Sequence, residues 1–175
     1  MTPPSPDPVL ARWNTLDADT AAREILPCCG SLAWASGLAA QRPFADAQQL
    51  FAASDRVWAA LPGQAWGEAF ASHPRIGQQH ARSATAQSVA WSSAEQRAAM
   101  SQDAAQKLAL AEGNRQYEER FGRIFIVCAA GKSAAEILAI LKTRMQNDAA
   151  TELLEAAEQQ RQITQLRLRR WLGTE

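Results

Sequence analysis

Residues 45–61 read ADAQQLFAASDRVWAAL, and Pro62 and Gly63 follow directly. Large side chains recur in this stretch at steps of three and four residues, as they do along one face of an α-helix. Proline and glycine then supply a stop signal, because neither residue extends a helix well. The stretch therefore predicts an amphipathic helix that packs one face against other helices. The residues of that face are Leu50, Phe51, Ser54, Val57, Trp58 and Leu61.

Helix start and stop signals of the same kind recur along the chain. Small polar or acidic residues that can cap a helix precede apolar segments of helical period, and Gly122 follows one such segment as a C-cap. The predicted helices run from Asp17 or Asp19 towards Leu26, from Ser31 past Leu38, through Trp66 and Phe70 up to His73, from Ser92 to about Phe121, from Ser133 past Leu141, and from about Ala150 to Trp171.

Three segments lack a clear helical pattern. Residues 78–90 are small and polar, which predicts a loop or a weak helix. Residues 124–131, IFIVCAAG, are rich in β-branched residues, but one such run cannot form a sheet alone, so we expect a buried extended segment or a short helix. Residues 1–8, MTPPSPDP, predict a disordered tail. We therefore expect an all-α fold, with residues 9–175 forming a single-domain helical bundle.

Composition limits the classes of function. Hydrophobic residues make up 47% of the 175 residues, which excludes a disordered chain, and 18 basic residues balance 18 acidic ones. A neutral chain lacks the one-sided charge that attracts nucleic acid or a membrane surface. The three cysteines, of which Cys28 and Cys29 are adjacent, fit neither a disulfide framework nor a CxxC metal site. With no apolar run near the roughly 20 residues of a membrane span and no signal peptide, we expect a cytoplasmic protein.

His73 stands directly before Pro74, in the sequence HPRIG. Proline disfavours the α conformation for the preceding residue, so His73 is expected at the end of a helix. An imidazole there can face a cavity and transfer protons near neutral pH. It can equally be a surface or capping residue, which residue type alone favours.

The second histidine, His80, invites comparison with a zinc site. No cysteine, aspartate or glutamate stands near it at a familiar ligand spacing, and the chain contains no HExxH motif. We therefore expect no metal site.

The sequence SSAEQ at 92–96 has the spacing Ser-x-x-Glu, which is typical of a capping box at a helix start. Ser133 and Glu136 repeat the spacing, so the pattern is not specific to a binding site. Gln96 adds a further polar group to the first of the two. Together these groups at a helix N-terminus could bind a polar ring or a carboxylate.

Arg144 falls near the apolar stripe of its predicted helix, three residues after Leu141. A guanidinium in that position either extends to solvent or meets a buried anion. The first is the ordinary behaviour, and a cavity beside His73 would favour the second.

Several motifs together resemble one family over nearly the whole chain after the tail. In order they are LPCCGSLAW at 26–34, HPRIG at 73–77, SSAEQ at 92–96, NRQYEERFG at 114–122, FIVCAAGKS at 125–133 and LKTRMQND at 141–148. The combination resembles 2-oxo-4-hydroxy-4-carboxy-5-ureidoimidazoline (OHCU) decarboxylases of urate degradation. One departure is that the family usually reads Phe-Gly-Phe-Pro-Phe where this chain has residues 121–125, FGRIF.

The resemblance implies an all-helical enzyme without cofactor or metal, usually a homodimer, that converts OHCU to (S)-allantoin. It implies that His73 and Glu95 carry the proton transfers. It also implies substrate contacts from Pro74, Ser92, Ser93, Ala94, Glu95, Gln96, Phe125, Ile126, Val127, Cys128, Ala129 and Arg144.

Two other classes of function are compatible with the same residues. The chain could be a helical interaction module, in which Ser92 and Glu95 only cap a helix. It could also be a metal-dependent ureide hydrolase that uses His73 and His80.

Overall fold

The computed structural model describes residues 7–77, 86–100 and 103–174. In these residues all regular secondary structure is helical, which confirms the predicted all-α fold. The α-helices are α1 (Pro8–Asn14), α2 (Ala18–Ile25), α3 (Leu32–Ala39), α4 (Ala47–Ala60), α5 (Gly63–Ala71), α6 (Ala86–Glu95), α7 (Ala104–Phe121), α8 (Ala134–Arg144) and α9 (Ala149–Leu172). Short 3-10 helices span Leu26–Cys28 and Arg97–Ala99.

Helix α4 is the amphipathic helix predicted from residues 45–61. The Asp46 carboxylate caps it by accepting a hydrogen bond from the Gln49 amide at 2.8 Å. Leu50 and Trp58 are buried on its inner face. At Leu61 the backbone turns extended, so the helix ends before Pro62, as the stop signal predicts.

Most of the predicted caps are present. Asp17 caps α2, Ser31 caps α3, and Ser133 forms a capping box with Glu136 at the start of α8. Gly122 ends α7 with a φ of +71°, a conformation that glycine adopts without steric cost. Local sequence therefore sets most of the helix ends.

The prediction that Ser92 opens a long helix is wrong. Helix α6 begins at Ala86 and ends at Glu95, and α7 starts separately with Asp103 as its cap. Ser92 and Glu95 thus occupy the last turn of α6, where both side chains are buried. The Ser-x-x-Glu spacing here places two polar groups one turn apart on the inner face of the helix.

The apolar core has two parts. The larger one packs α1 to α5 against α9 and includes Trp13, Trp34 and Leu168. The smaller one lies between α7 and α8 and includes Tyr117 and Ile137.

Residues 124–129 connect these two parts of the core. The segment has neither helix nor strand, which confirms the expected buried extended segment. Ile126 belongs to the larger part, whereas Phe125 and Val127 belong to the smaller one. Successive side chains of an extended backbone point to opposite sides, so three consecutive residues reach both parts.

The helical bundle begins before residue 9, the predicted start of the domain. Asp7 caps α1 and Pro8 is its first residue, so these two belong to the bundle rather than to a tail. Residues 1–6 lie outside the described residues, as do His80 and most of the loop predicted at 78–90. In the described part of the chain, no helix is both long enough and apolar enough to cross a membrane.

Candidate active site

His73 lies two residues beyond α5, as the following proline predicts. Ser72 ends the helix, and its hydroxyl donates to the Ala69 carbonyl at 2.6 Å. The His73 amide donates to the Phe70 carbonyl at 3.2 Å, which closes a tight turn. The imidazole is buried, with 9% of its surface exposed. A surface role for His73 is therefore excluded.

A glutamine on α9 determines which nitrogen of His73 carries the proton. The His73 Nε2 lies 2.7 Å from the Gln160 Oε1, and the Gln160 Nε2 donates to the Thr164 hydroxyl at 3.1 Å. With the amide oriented in this way, Nε2–H is the donor and Nδ1 is the unprotonated nitrogen. Among the described residues, Nδ1 has no hydrogen-bond partner and can accept a proton.

The environment keeps His73 neutral. Burial, and secondly the positive charge of Arg167, lower the pKa of His73 from 6.5 to about 3 against the opposing effect of the Gln160 hydrogen bond. A neutral imidazole near pH 7 is a proton acceptor. An anion that enters the site raises its pKa and strengthens it as a base.

Glu95 is paired with Arg167 of α9 inside the bundle. The guanidinium binds the carboxylate through two nitrogens, Nε to Oε1 at 2.9 Å and Nη2 to Oε2 at 3.2 Å. Nη2 also donates to the Ser92 hydroxyl at 2.9 Å, and Nη1 donates to the Pro27 carbonyl at 3.1 Å. Both charged side chains are buried, so each supplies the counter-charge that the other requires.

A narrow pocket brings His73 and Glu95 together. Nine of the residues predicted from the sequence line it, namely His73, Pro74, Ser92, Glu95, Gln96, Phe125, Ile126, Val127 and Ala129, and Ile76 and Ile163 complete it. These side chains leave about 20 Å³ between them, which is room for about one water molecule. A ring-sized ligand therefore requires parts of the lining to move apart.

A larger cavity, of about 740 Å³, lies beside the site between Ile76, Met100 and α7. Two of its charged residues, Arg75 and Arg115, are paired with glutamates on the protein surface. His73 and Glu95 are absent from its lining. The smaller pocket is the better candidate because it combines a buried base with a buried ion pair.

Comparison with known proteins decides the family. The family model for OHCU decarboxylase matches residues 14–169 of this chain, which includes every residue of the pocket. The chain belongs to the OHCU decarboxylase family.

Individual relatives agree with this assignment. The chain is 37% identical over 142 residues to the uric acid degradation bifunctional protein TTL of Arabidopsis thaliana, covering 81% of this chain and 44% of that protein. It is 46% identical over 55 residues to an OHCU decarboxylase of Amia calva, covering 31% of each chain. The chain thus spans less than half the length of these curated relatives.

Solved structures show the same fold. A crystal structure of OHCU decarboxylase in the presence of (S)-allantoin superposes with a TM-score of 0.75 at 33% identity, covering 86% of this chain and 97% of that one. A structure of (S)-allantoin synthase gives a TM-score of 0.69 at 19% identity, over 93% and 53% of the two chains. The second match concerns the fold alone.

Some residues that the family resemblance assigned to the substrate lie elsewhere. Ser93 and Ala94 are exposed on α6 and point away from the pocket. Cys128 is absent from the lining, and its amide donates to the Gln159 side chain at 2.9 Å. The residues of α6 that face the pocket are those spaced one turn apart.

Arg144 also lies outside the pocket lining of this family member. Its side chain is buried, so the interpretation in which Arg144 extends to solvent is wrong. The buried anion that it meets is Glu152. Its guanidinium also donates to the Ile126 carbonyl, behind the pocket wall. Ile124 stands where the family usually has proline, and residues 124–129 form neither helix nor strand.

Two polar residues of the site were not predicted, Gln160 and Arg167. Both lie on one stripe of α9 with Ile163 and Thr164, at steps of three, four and seven residues, and all four are buried. The same spacing was visible in the sequence. A helical stripe that mixes glutamine, threonine and arginine with isoleucine is the signal that would have found them.

Proposed function

We propose that this chain decarboxylates OHCU to (S)-allantoin in urate degradation. The proposal is supported by family membership and by one feature of the site: a neutral buried imidazole, whose Nδ1 has no partner among the described residues, lines the same pocket as Glu95, which Arg167 holds from behind. This arrangement places a proton acceptor and a carboxyl group in one small pocket. Those are the groups that the reaction requires.

The chemistry of the substrate explains why few residue types suffice. The carboxylate of OHCU is attached to a ring carbon that also bears a hydroxyl and adjoins a ring imine. When the carbon–carbon bond to the carboxylate breaks, its electron pair passes towards the imine and CO₂ leaves. The hydroxyl then loses its proton and becomes a carbonyl, while the imine nitrogen and the neighbouring carbon each gain a proton. The net reaction takes up one proton.

His73 and Glu95 are proposed to carry these proton transfers. Nδ1 of His73 takes the hydroxyl proton, because the Nε2 position is already committed to Gln160. Glu95, held in place by Arg167, is the second group that can exchange a proton with the ring. Each transfer of this kind contributes roughly 10²–10⁴-fold to the rate.

The rest of the pocket favours loss of the carboxylate. Glu95 and Arg167 offset each other's charge, His73 is neutral, and Arg170 makes a longer contact of 3.4 Å to the same Glu95 carboxylate. Seven apolar side chains belong to the lining, Pro74, Ile76, Phe125, Ile126, Val127, Ala129 and Ile163. A carboxylate is poorly solvated there, whereas uncharged CO₂ is not.

The decisive experiment uses freshly generated OHCU. Its disappearance is followed with and without the protein, together with the optical activity of the product. We expect faster decay and a predominance of the (S) enantiomer, since protonation takes place on one face inside a chiral pocket. A racemic product formed at the spontaneous rate would refute the proposal and would leave the helical interaction module as the alternative.

We also propose that the enzyme needs no metal or cofactor, forms a homodimer and works in the cytoplasm. The electron-accepting imine belongs to the substrate, so activity is expected to survive dialysis against EDTA, whereas a zinc-dependent hydrolase would lose it. Exposed Leu108 and Met100 offer apolar surface for a second copy, which light scattering would test. Three free cysteines fit a reducing compartment.

A further inference from the structure

Arg144 is a buried cation that contacts the pocket wall from behind. Only 4% of its side chain is exposed. Nε donates to Glu152 Oε1 at 2.8 Å, Nη2 donates to the same oxygen, and Nη1 donates to the Ile126 carbonyl. The guanidinium also lies 4.5 Å from the centroid of the Phe125 ring. One side chain therefore holds two consecutive residues of the wall.

Glu152 anchors this arginine. Its carboxylate is fully buried, and it accepts hydrogen bonds from the Tyr117 hydroxyl at 2.6 Å and from the Asn147 amide at 3.0 Å as well as from Arg144. Four donor atoms thus converge on this carboxylate of α9, one from α7, two from Arg144 of α8 and one from the turn between α8 and α9. Buried ion pairs contribute little net stability compared with apolar residues of the same size, so stability alone is a weak reason for this one.

The geometry of the wall peptide suggests what the pair does. The peptide between Ile126 and Val127 is trans, so its carbonyl and its N–H point in opposite directions. Because Arg144 binds the carbonyl, the Val127 N–H points away from Arg144, and Val127 lines the pocket. That N–H has no hydrogen-bond partner among the described residues. A buried amide without a partner is rare and is expected to meet a ligand.

A second contact fixes the same segment on the same side. The Cys128 amide donates to Gln159 Oε1 at 2.9 Å. In an extended backbone, the carbonyl of one residue and the N–H two residues later point to the same side. Ile126 and Cys128 are therefore bound on the outer side, which leaves the polar groups of Val127 for the inner side.

We propose that Arg144 is a positioning residue for the decarboxylation. Held by Glu152, it fixes the Ile126 carbonyl and thereby presents the Val127 N–H to an acceptor oxygen of the substrate. This inference rests on the proposed function of the pocket. An arginine is required because its planar fork binds the carboxylate and the carbonyl together, which the single ammonium of lysine cannot reproduce.

The test replaces Arg144 by lysine and uses Arg42→Lys as a matched control. Arg42 also donates to backbone carbonyls, those of Trp13, Leu16 and Ala39, but it lies outside the pocket lining. Each variant is assayed well below its own melting temperature. For Arg144→Lys we expect KM to rise roughly tenfold or more with a smaller change in kcat, because the amide contact is made to bound substrate throughout the reaction. For Arg42→Lys we expect a lower melting temperature and an unchanged kcat/KM.

A second measurement does not depend on turnover. Hydrogen exchange of a peptide that spans residues 124–129 should become faster in Arg144→Lys and stay unchanged in Arg42→Lys. If Arg144→Lys retains the KM and the hydrogen exchange of the wild type, the positioning role is wrong. It is also wrong if Arg42→Lys raises KM as much as Arg144→Lys does. If the wild-type protein does not decarboxylate OHCU, the proposed function fails, and exchange of the wall peptide still decides the role of Arg144.

A milder variant covers the case in which Arg144→Lys does not fold. Tyr117→Phe removes one hydrogen bond to Glu152 and keeps the ring that packs against Phe125. Loss of one such bond is expected to raise KM roughly threefold and to speed exchange of the wall peptide. Unchanged values of both quantities would overturn the proposal.

Discussion

Arg167 and Glu95 are 72 residues apart in the chain, and they form a two-point ion pair in the interior of the bundle. The pair joins the last turn of α6 to the C-terminal third of α9. Since Ser92 shares the same guanidinium, one arginine sets the positions of both polar residues that α6 contributes to the pocket.

Removing the arginine should therefore affect both stability and turnover. Arg167→Met removes the two-point partner of the buried Glu95 carboxylate and leaves it only the longer contact to Arg170 at 3.4 Å, so we expect a loss of about 3 kcal/mol in the free energy of unfolding. The double variant Glu95→Gln with Arg167→Met should recover part of that stability, because no isolated charge remains, and should stay inactive. Urea unfolding and OHCU turnover measure the two effects. A double variant no more stable than Arg167→Met would contradict the charge-pair explanation.

Features of this fold that depend on neighbouring residues were predictable from the sequence, whereas those that depend on distant residues were not. Helix α4 was predictable because its cap, its apolar face and its stop signal all lie within residues 45–63. The position of His73 was predictable for the same reason, since Pro74 constrains its immediate neighbour.

Ser92 shows where local patterns are ambiguous. Ser-x-x-Glu is satisfied both by a capping box, as at Ser133, and by two inward-facing positions one turn apart, as at Ser92. Only the partner on α9 distinguishes the two cases, and the chain does not show that partner near position 92. The stripe on α9 marks Arg167 as inward-facing, but it does not show that Glu95 is its partner.

His73 itself gives the most direct test of the chemistry. His73→Asn retains a side chain that can hydrogen-bond to Gln160 and removes the basic Nδ1. We expect a folded protein whose turnover is reduced by at least about a hundredfold, the contribution of one proton-transfer group. Circular dichroism serves as the control for folding. Near-normal turnover by this variant would exclude His73 as the base.

The lowered pKa of His73 also predicts a pH dependence of stability. The folded state binds the proton only near pH 3, whereas the unfolded state binds it below about pH 6.5. Between these values the unfolded state holds the extra proton, so the free energy of unfolding falls as the pH is lowered, by up to about 1.4 kcal/mol per pH unit. Above pH 6.5 this contribution is fully present.

Urea unfolding of the wild-type protein and of His73→Asn at pH 7 and pH 5 isolates this effect, because all other titrating groups are shared. We expect the wild type to lose more stability than the variant over this interval. Equal losses would mean that His73 is protonated in the folded protein at pH 5.

The turn that carries His73 depends on a glycine from another part of the chain. Gly30 has a φ of +87°, and a Cβ atom added to it would lie 2.2 Å from the Ser72 hydroxyl oxygen. Gly30→Ala should therefore cost at least about 2 kcal/mol of stability and should lower kcat/KM, since Ser72 directly precedes His73.

Gly67→Ala is the matched control: Gly67 lies inside α5, and no atom lies within 4 Å of its added Cβ. We expect this control to gain roughly 0.5–1 kcal/mol and to keep full activity, because alanine favours the helix. Thermal unfolding and OHCU turnover of the two variants provide the test, and a Gly30→Ala protein that matches the wild type in both would show that Ser72 can move without displacing His73.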